Sequence, residues 1–484
     1  MKLSEILKEI NVLSATAAGD TEITGVCYDS RRVKSGDLFV AVRGYESDGH
    51  KYIPMAVEKG CAAVLCEEAP AGNVPYVQTD DSRLGLALAA RNFYGDPSRE
   101  MKVIGITGTN GKTTTILTKQ ILEKTLGAKV GLIGSISNMI GDEEFHAEHT
   151  TPESCDLQAL FRQMADAGCT HCVMEVSSHS LVLRRVAGVH FAVGLFTNLT
   201  QDHLDFHNTM EEYAKAKAML FPMCEKTAAN ADDPWTETVM QDAPQPVYTF
   251  SAKSDSASLT ARDIRLAPSG VRFCALEEGE LVRVKTNLPG QFSVYNALAA
   301  ISCARLLGVS LADAAAALET AHGAKGRVEP VPTDGDYSIF IDYAVTPDAI
   351  ENVLTTLRGI APKRLVMLFG AGGDRDRKKR PIMGKISADI ADFVIVTSDN
   401  PRTEDPMSII EEILPGVRAG KAPYKVICDR PEAIRWAIDH HEPGDVILLC
   451  GKGHEDYQII GHEKIHMDER EIVADYLAER AKRT

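Results

Sequence analysis

The chain has no apolar run approaching the roughly 20 residues that cross a bilayer, so no membrane span is expected. It has no surplus of basic residues either. Lys and Arg total 52 against 68 Asp and Glu, a formal charge of −16. That balance argues against nucleic acid or an anionic membrane as partner, although a few local donors can still hold a small anion. The first thirteen residues, MKLSEILKEINVL, interrupt their apolar positions with Glu and Lys. They read as an amphipathic helix, not as a secretory leader. Cys169 and Cys172 have C-x-x-C spacing, but no second pair completes a zinc site. The 11 cysteines are scattered and odd in number, as expected of reduced, buried thiols in the cytoplasm. No internal repeat and no low-complexity tract is present.

What is present is ordinary globular material in quantity. Across 484 residues, 44% are hydrophobic and 25% charged, enough for about three domains. Three blocks are expected: 1–98, 99–325 and 326–484. In the first, short strands such as 37–43 and 62–66 alternate with helices until Gly95-Asp96-Pro97-Ser98 ends the block. In the second, strands at 102–107, 172–176 and 192–197 are separated by helical stretches, the pattern of a parallel α/β sheet. An irregular, antiparallel stretch over 247–288 and a helix over 296–307 follow, and residues 323–326 read as a linker. In the third, strands at 338–341, 364–369, 393–397 and 445–449 alternate with helices in a second doubly wound unit.

The strand at 102–107 runs into Gly108-Thr109-Asn110-Gly111-Lys112-Thr113-Thr114 and then a helix. Glycines let backbone N–H groups turn toward a polyphosphate, and a helix N-terminus adds positive potential. Lys112 is expected to reach the outer phosphates and Thr113 to hold Mg²⁺. The usual G-x-x-x-x-G-K-[ST] spacing is not met, so the strand–loop–helix context carries this reading over a ligand-free turn.

Glu175 ends an apolar strand where a metal-binding carboxylate is placed in such folds, although Ser177-Ser178 beside it equally suits a helix cap. Asn198 to Asp205 follows the next strand with Asp202 and His203; His203 alone would be structural, but beside Glu175 and the loop it suits a metal or phosphate. A helix over 210–221 places Met210, Tyr213, Leu220 and Phe221 on one face together with Lys217, while Lys215 points away. A buried lysine has a nucleophilic amine that takes up CO₂ as a carbamate, an anionic metal ligand. Periodicity alone favours the simpler case in which Lys217 snorkels to the surface.

Taken together and in order along the whole chain, these residues resemble the Mur ligase family. So do Asn230-Ala231-Asp232-Asp233, Gly326-Arg327, Asp342-Tyr343-Ala344, residues 370–376 and Gly451-Lys452-Gly453-His454-Glu455. The resemblance implies a UDP-substrate domain, a central P-loop ATPase-type parallel sheet and a C-terminal Rossmann-like domain that closes over the nucleotide. It implies an ATP- and Mg²⁺-dependent ligase of peptidoglycan precursor synthesis that extends UDP-N-acetylmuramoyl-L-alanyl-D-glutamate, cytoplasmic and monomeric. Ser30, Tyr45, Glu46 and Ser47 would hold the UDP end; His149, Thr150, Thr151, Ser177 and Arg185 the muramoyl-dipeptide; Asn296, Arg327 and Asp342 the nucleotide. Lys217 matches the family's carbamylated lysine, and Glu175, His203 and Thr113 its metal ligands.

Three positions depart from the family pattern. Val345 stands where His is usual, His149 where Asn usually precedes Thr150, and Leu183 where a polar residue is common. Asp399-Asn400-Pro401-Arg402 follows the strand at 393–397; local sequence alone reads it as a proline turn. Within the family it resembles the motif of members that add meso-diaminopimelate. Arg402 would then pair with the distal carboxylate, Asp399 and Glu455 would face the ammonium and Arg375 the other carboxylate, with Asn400, Pro401 and Gly451 completing the site. The rivals are a P-loop switch protein, for which no Asn-Lys-x-Asp base-reading motif is found, and a related amide ligase of the folyl-polyglutamate synthetase kind.

Overall fold

A computed structural model describes residues 1–44, 47–360 and 363–482, with all their side chains except those of Lys112, Leu204 and Asp205. The chain divides into two compact units, one of residues 1–260, 277–280 and 298–317, the other of residues 261–276, 281–297 and 318–484. Among the described residues no helix is long and apolar enough to cross a membrane.

The first unit holds two sheets. The N-terminal one is five-stranded: Gly25–Cys27, Asp37–Val40, Ala63–Cys66 and Tyr76–Thr79 run parallel, and Val12–Ala15 closes one edge antiparallel. Residues expected as one amphipathic helix are thus a four-residue helix, Leu3–Ile6, followed by this edge strand, because pairing with Tyr76–Thr79 overrides helical propensity. The boundary expected between residues 98 and 99 falls within this unit. There the helix Ser82–Phe93 packs against Ser154–Asp166, and Cys155 joins the N-terminal core.

The second sheet has at its centre Lys102–Thr107, exposed only at Lys102. Phe191–Phe196 lies parallel on one side and His171–Glu175, then Val130–Ile133, on the other. Strands buried on both faces read as continuous apolar runs, which is why they were legible. The chain leaves Lys102–Thr107 toward one side of the sheet and later returns to the other, so the loops after it, after Glu175 and after Phe196 open at a single topological switch point. Val247–Ser251 was expected to be antiparallel; it instead pairs parallel with Cys224–Asn230 and extends this sheet. Cys169 and Cys172 are buried in the core and free.

The second unit centres on a six-stranded sheet ordered Glu329–Val331, Ser338–Asp342, Val446–Cys450, Leu365–Phe369, Phe393–Val396, Tyr424–Val426, parallel except for the first strand. Its loops after residues 342, 369, 396 and 450 again open on one edge. Two of them are fastened by Arg380, whose guanidinium is fully buried. It donates to Gly372 O at 3.1 Å, to Glu404 at 2.8 and 2.9 Å and to Glu412 at 2.7 Å. Glu404 in turn accepts from the Asp374 N–H at 2.6 Å.

The Arg380 hydrogen bonds hold the Glu404 carboxyl down to about 2, from an ordinary value of 4.5. A depressed carboxyl adds stability that is complete above its unfolded value and lost as pH falls through its folded one. The stability difference between wild type and Glu404→Gln, measured by chemical denaturation, is therefore expected to be full above pH 4.5 and to shrink toward pH of about 2. A difference independent of pH would remove the Arg380–Glu404 pair as its cause.

Candidate active site

The phosphate loop is shaped by the strand beside it. Thr197 Oγ1 donates to Asn110 O at 2.6 Å, Asn198 Oδ1 accepts from the Asn110 N–H at 3.0 Å, and Asn198 O accepts from the Thr109 N–H at 2.9 Å. Asn230 Nδ2 holds Thr197 O at 2.9 Å from the next strand. The helix Lys112–Leu126 then starts directly after Gly111, earlier than the sequence suggested, with its first N–H groups at the loop. Gly108 is where the loop passes closest to its neighbour: a Cβ there would lie 1.9 Å from Thr197 Oγ1. Gly108→Ala must displace the loop, and a shift of about 1 Å in a phosphate cradle is expected to lower ATP turnover about 100-fold. Steady-state ADP release checks this; wild-type turnover would show that the loop does not hold the phosphates.

Lys217 lies on the helix Met210–Ala218, 2% exposed, whereas Lys215 is exposed. Its Nζ donates to Gly108 O at 2.9 Å and stands 4.5 Å from the centre of the Tyr213 ring. Lys217 therefore does not snorkel. The Tyr213 ring is stacked on His207, and His207 Nε2 lies 2.8 Å from Ser178 Oγ. Burial, reinforced by His179, Lys217 and His203, pushes the His207 imidazole down to about 4, so it is neutral at pH 7.

Across the same cleft Glu175 Oε2 accepts from Ser135 Oγ at 2.7 Å, and Ser135 Oγ is 2.9 Å from Thr150 Oγ1. Ser177 caps the helix Ser178–Val182, so the capping role and a place in the cleft coexist. Thr151 Oγ1 bonds to Glu175 O and Ser177 Oγ at 2.9 and 3.3 Å, and Arg185 Nη1 holds Thr151 O at 3.2 Å. Gly108, Ser135, Glu175, Ser177, His203 and Lys217 thus line one cleft. Ser135 escaped the sequence reading, because a lone serine after a strand carries no local signal.

Among the described residues no three His, Cys, Asp or Glu side chains cluster closely enough to hold a metal. Glu175 and His203 do share the cleft with Lys217, whose carbamate would add an oxygen ligand, so the donor set fits a hard cation. His203 is about half exposed, its ring 4.9 Å from that of His179.

The remaining expected residues are distributed as follows. Ser30 is buried, Ser47 Oγ is 3.3 Å from Tyr52 OH, and His149 is exposed. Tyr45, Glu46 and the Lys112 side chain lie outside the described residues. Thr113 and Thr114 stand in the first turn of the loop helix, and Asn296 on the helix Gln291–Leu306. Asp342 is 6% exposed and accepts from the N–H groups of Val328 and Ala344, each at 2.9 Å. Burial pushes its carboxyl up, against the Arg327 charge and these two bonds. Arg327 lies 5.6 Å from the Tyr343 ring centre, and the carbonyl of Val345 accepts from Lys379 Nζ at 2.9 Å.

The second unit brings Asp399, Asn400, Arg402, Gly451 and Glu455 together, while Arg375 is exposed. Asn400 Nδ2 donates to Glu455 Oε2 at 2.9 Å, and a Cβ on Gly451 would lie 2.4 Å from Asp399 Oδ2. Arg402 Nη1 donates to Gly373 O at 2.8 Å. Pro401 precedes it and is buried.

The family model described as Mur ligase family, catalytic domain, matches residues 22–94, the Mur ligase middle domain 106–304, and the Mur ligase, glutamate ligase domain 326–453. A UDP-N-acetylmuramoyl-L-alanyl-D-glutamate–2,6-diaminopimelate ligase of Caldanaerobacter subterraneus subsp. tengcongensis is 46% identical, covering 100% of both chains. The ligase of the same name from Clostridium tetani is 44% identical over 99% of this chain and 100% of its own. A solved structure of a ligase so named superposes with a TM-score of 0.78 at 30% identity over 99% of each chain. With its phosphate loop, its cleft lysine and relatives that match it from end to end, the chain belongs to the Mur ligase family.

Proposed function

We propose that this protein is an ATP-dependent ligase that joins meso-diaminopimelate, through an amide bond, to the D-glutamyl side-chain carboxylate of UDP-N-acetylmuramoyl-L-alanyl-D-glutamate. The observation that carries the reading is the convergence of phosphate loop, Glu175 and buried Lys217 in one cleft, in a chain whose full-length relatives bear that ligase's name. Residues 1–98 take the UDP end, 99–325 the ATP and 326–484 the amino acid. The enzyme works as a cytoplasmic monomer.

A carboxylate is a poor electrophile, so the γ-phosphoryl group of ATP is first transferred to it, giving an acyl phosphate and ADP. The incoming amine then attacks the acyl carbon, the tetrahedral intermediate loses inorganic phosphate, and the amine gives up a proton. Loop N–H groups and Lys112 hold the polyphosphate, and Thr151, Ser177 and Arg185 orient the muramoyl-dipeptide; positioning and charge neutralisation are what the protein contributes. Thr113, Glu175, His203 and Lys217 as its carbamate would hold Mg²⁺, which offsets the crowded negative charge of phosphates and carboxylate. The carbamate forms when the neutral Lys217 amine attacks CO₂ and releases one proton. Exclusion of water from the cleft protects the acyl phosphate from hydrolysis.

The test is phosphate release with ATP, UDP-N-acetylmuramoyl-L-alanyl-D-glutamate and a panel of diamino acids. Release that requires both the muramoyl-dipeptide and meso-diaminopimelate is expected. Release without any acceptor would indicate a nucleotide switch, and release with a folate and glutamate would indicate the other amide ligase.

A further inference from the structure

Lys452 has no role in the reading above, yet like Arg380 and Arg430 it is a fully buried cation at the edge that carries Arg402. Its side chain is 0% exposed. Nζ donates to Asn400 Oδ1 at 2.7 Å and to Glu455 Oε2 at 2.9 Å, and lies 3.7 Å from Asp399 Oδ1. Asn400 Oδ1 also accepts from the Ile459 N–H at 2.9 Å, and Gln458 Nε2 donates to Asp399 O at 2.6 Å. One ammonium thus ties together three segments: the loop 399–402, the turn 451–455 and the strand Tyr457–Ile460.

A buried ammonium is tolerated only when charge and hydrogen bonds compensate it. Here the compensation overshoots. Asp399 and Glu455 are two carboxylates against one directly paired cation, Lys452. Arg430, the next cation facing Asp399, is itself paired with Glu469 at 2.8 Å, so counting that pair still leaves one negative charge to be matched by a bound cation. Asn400 is 4% exposed, with its oxygen given to Lys452 and Ile459 and its amide to Glu455. It is the joint of the cluster.

We propose that Lys452 is a positioning residue for the incoming amino acid. It fixes the rotamers of Glu455 and Asn400 and leaves a single negative charge for the ammonium of a zwitterionic substrate. The proposal rests on the functional reading above for the identity of that substrate. Removing the cation leaves Glu455 without its ion-pair partner and Asp399 with only the more distant Arg430 charge, and the repulsion between the two carboxylates swings Glu455 away from the joint.

The experiment compares KM values for all three substrates in the full-length enzyme. Lys452→Met is expected to raise KM for the amino acid at least about tenfold, as for truncation of one partner of a buried charge pair. KM for ATP and for the muramoyl-dipeptide should stay within about twofold, because neither is held by this cluster. Lys452→Arg keeps the charge but cannot keep both short contacts, so it should give a smaller rise in the same KM alone. An unchanged amino-acid KM in Lys452→Met, or equal rises in all three, overturns the proposal. If Lys452→Met does not fold, Lys452→Arg decides on the same criterion. A wild type that uses another amino acid contradicts the functional reading, and Lys452 is then tested with that amino acid.

Discussion

Lys217→Ala is expected to abolish ligation while the protein stays folded. The helix Met210–Ala218 delivers the lysine into the cleft at 2% exposure, within 2.9 Å of the Gly108 carbonyl and beside Glu175 and His203. Alanine removes the amine from which CO₂ would make an anionic ligand, and with it one of the fixed charges aimed at the transferring phosphoryl group. Loss of such a contribution is expected to lower kcat at least about 100-fold. Short carboxylates added to the variant should partly restore activity by occupying the place of the carbamate. Lys215→Ala, two residues away and exposed, is the control and should be nearly silent. Thermal melting separates a folded, inactive variant from an unfolded one. Full activity in Lys217→Ala would remove the carbamate from the mechanism.

That lysine was legible in part. Periodicity put it on an apolar face but by itself favoured its reaching water, and only the packing of Tyr213, Leu220 and the Gly108 loop decided the matter. The central strands were legible to within about a residue because burial on both faces leaves continuous apolar runs. Edges were harder. Val12–Ala15 is exposed throughout and is a strand only because Tyr76–Thr79 offers a partner 62 or more residues away. Residues whose role depends on distant segments left no local trace. Ser135 joins Thr150 to Glu175, and Lys452, between two glycines, looks like a solvated turn lysine until the loop 399–402 folds over it.

The wild-type enzyme is expected to use meso-diaminopimelate and to leave L-lysine nearly inert. Arg402 carries this expectation, and its backbone is held for the purpose. Its φ is 51°, a left-handed conformation that a non-glycine residue adopts at a cost. The hairpin formed by Tyr457–Ile460 and Glu463–His466 maintains it: the Arg402 N–H donates to Ile459 O at 3.0 Å, and the Gly461 N–H donates to Arg402 O at 2.7 Å. The guanidinium is fixed at one nitrogen by Gly373 O at 2.8 Å, and among the described residues it makes no ion pair with a carboxylate. A planar fork so placed matches a carboxylate on a ligand. Meso-diaminopimelate brings a distal carboxylate together with its ammonium, whereas lysine brings the ammonium alone and would leave Arg402 desolvated without a counter-charge. Sites that must pair a buried polar group reject the analogue lacking it strongly, so kcat/KM should favour meso-diaminopimelate by about 1,000-fold or more. Arg402→Ala should raise KM for meso-diaminopimelate sharply, leave KM for ATP little changed, and narrow the preference mainly by losing the better substrate. Equal kcat/KM for the two amino acids in the wild type would sink the assignment, and it would do so whatever the outcome at Lys217, because the phosphoryl chemistry does not depend on which amine arrives.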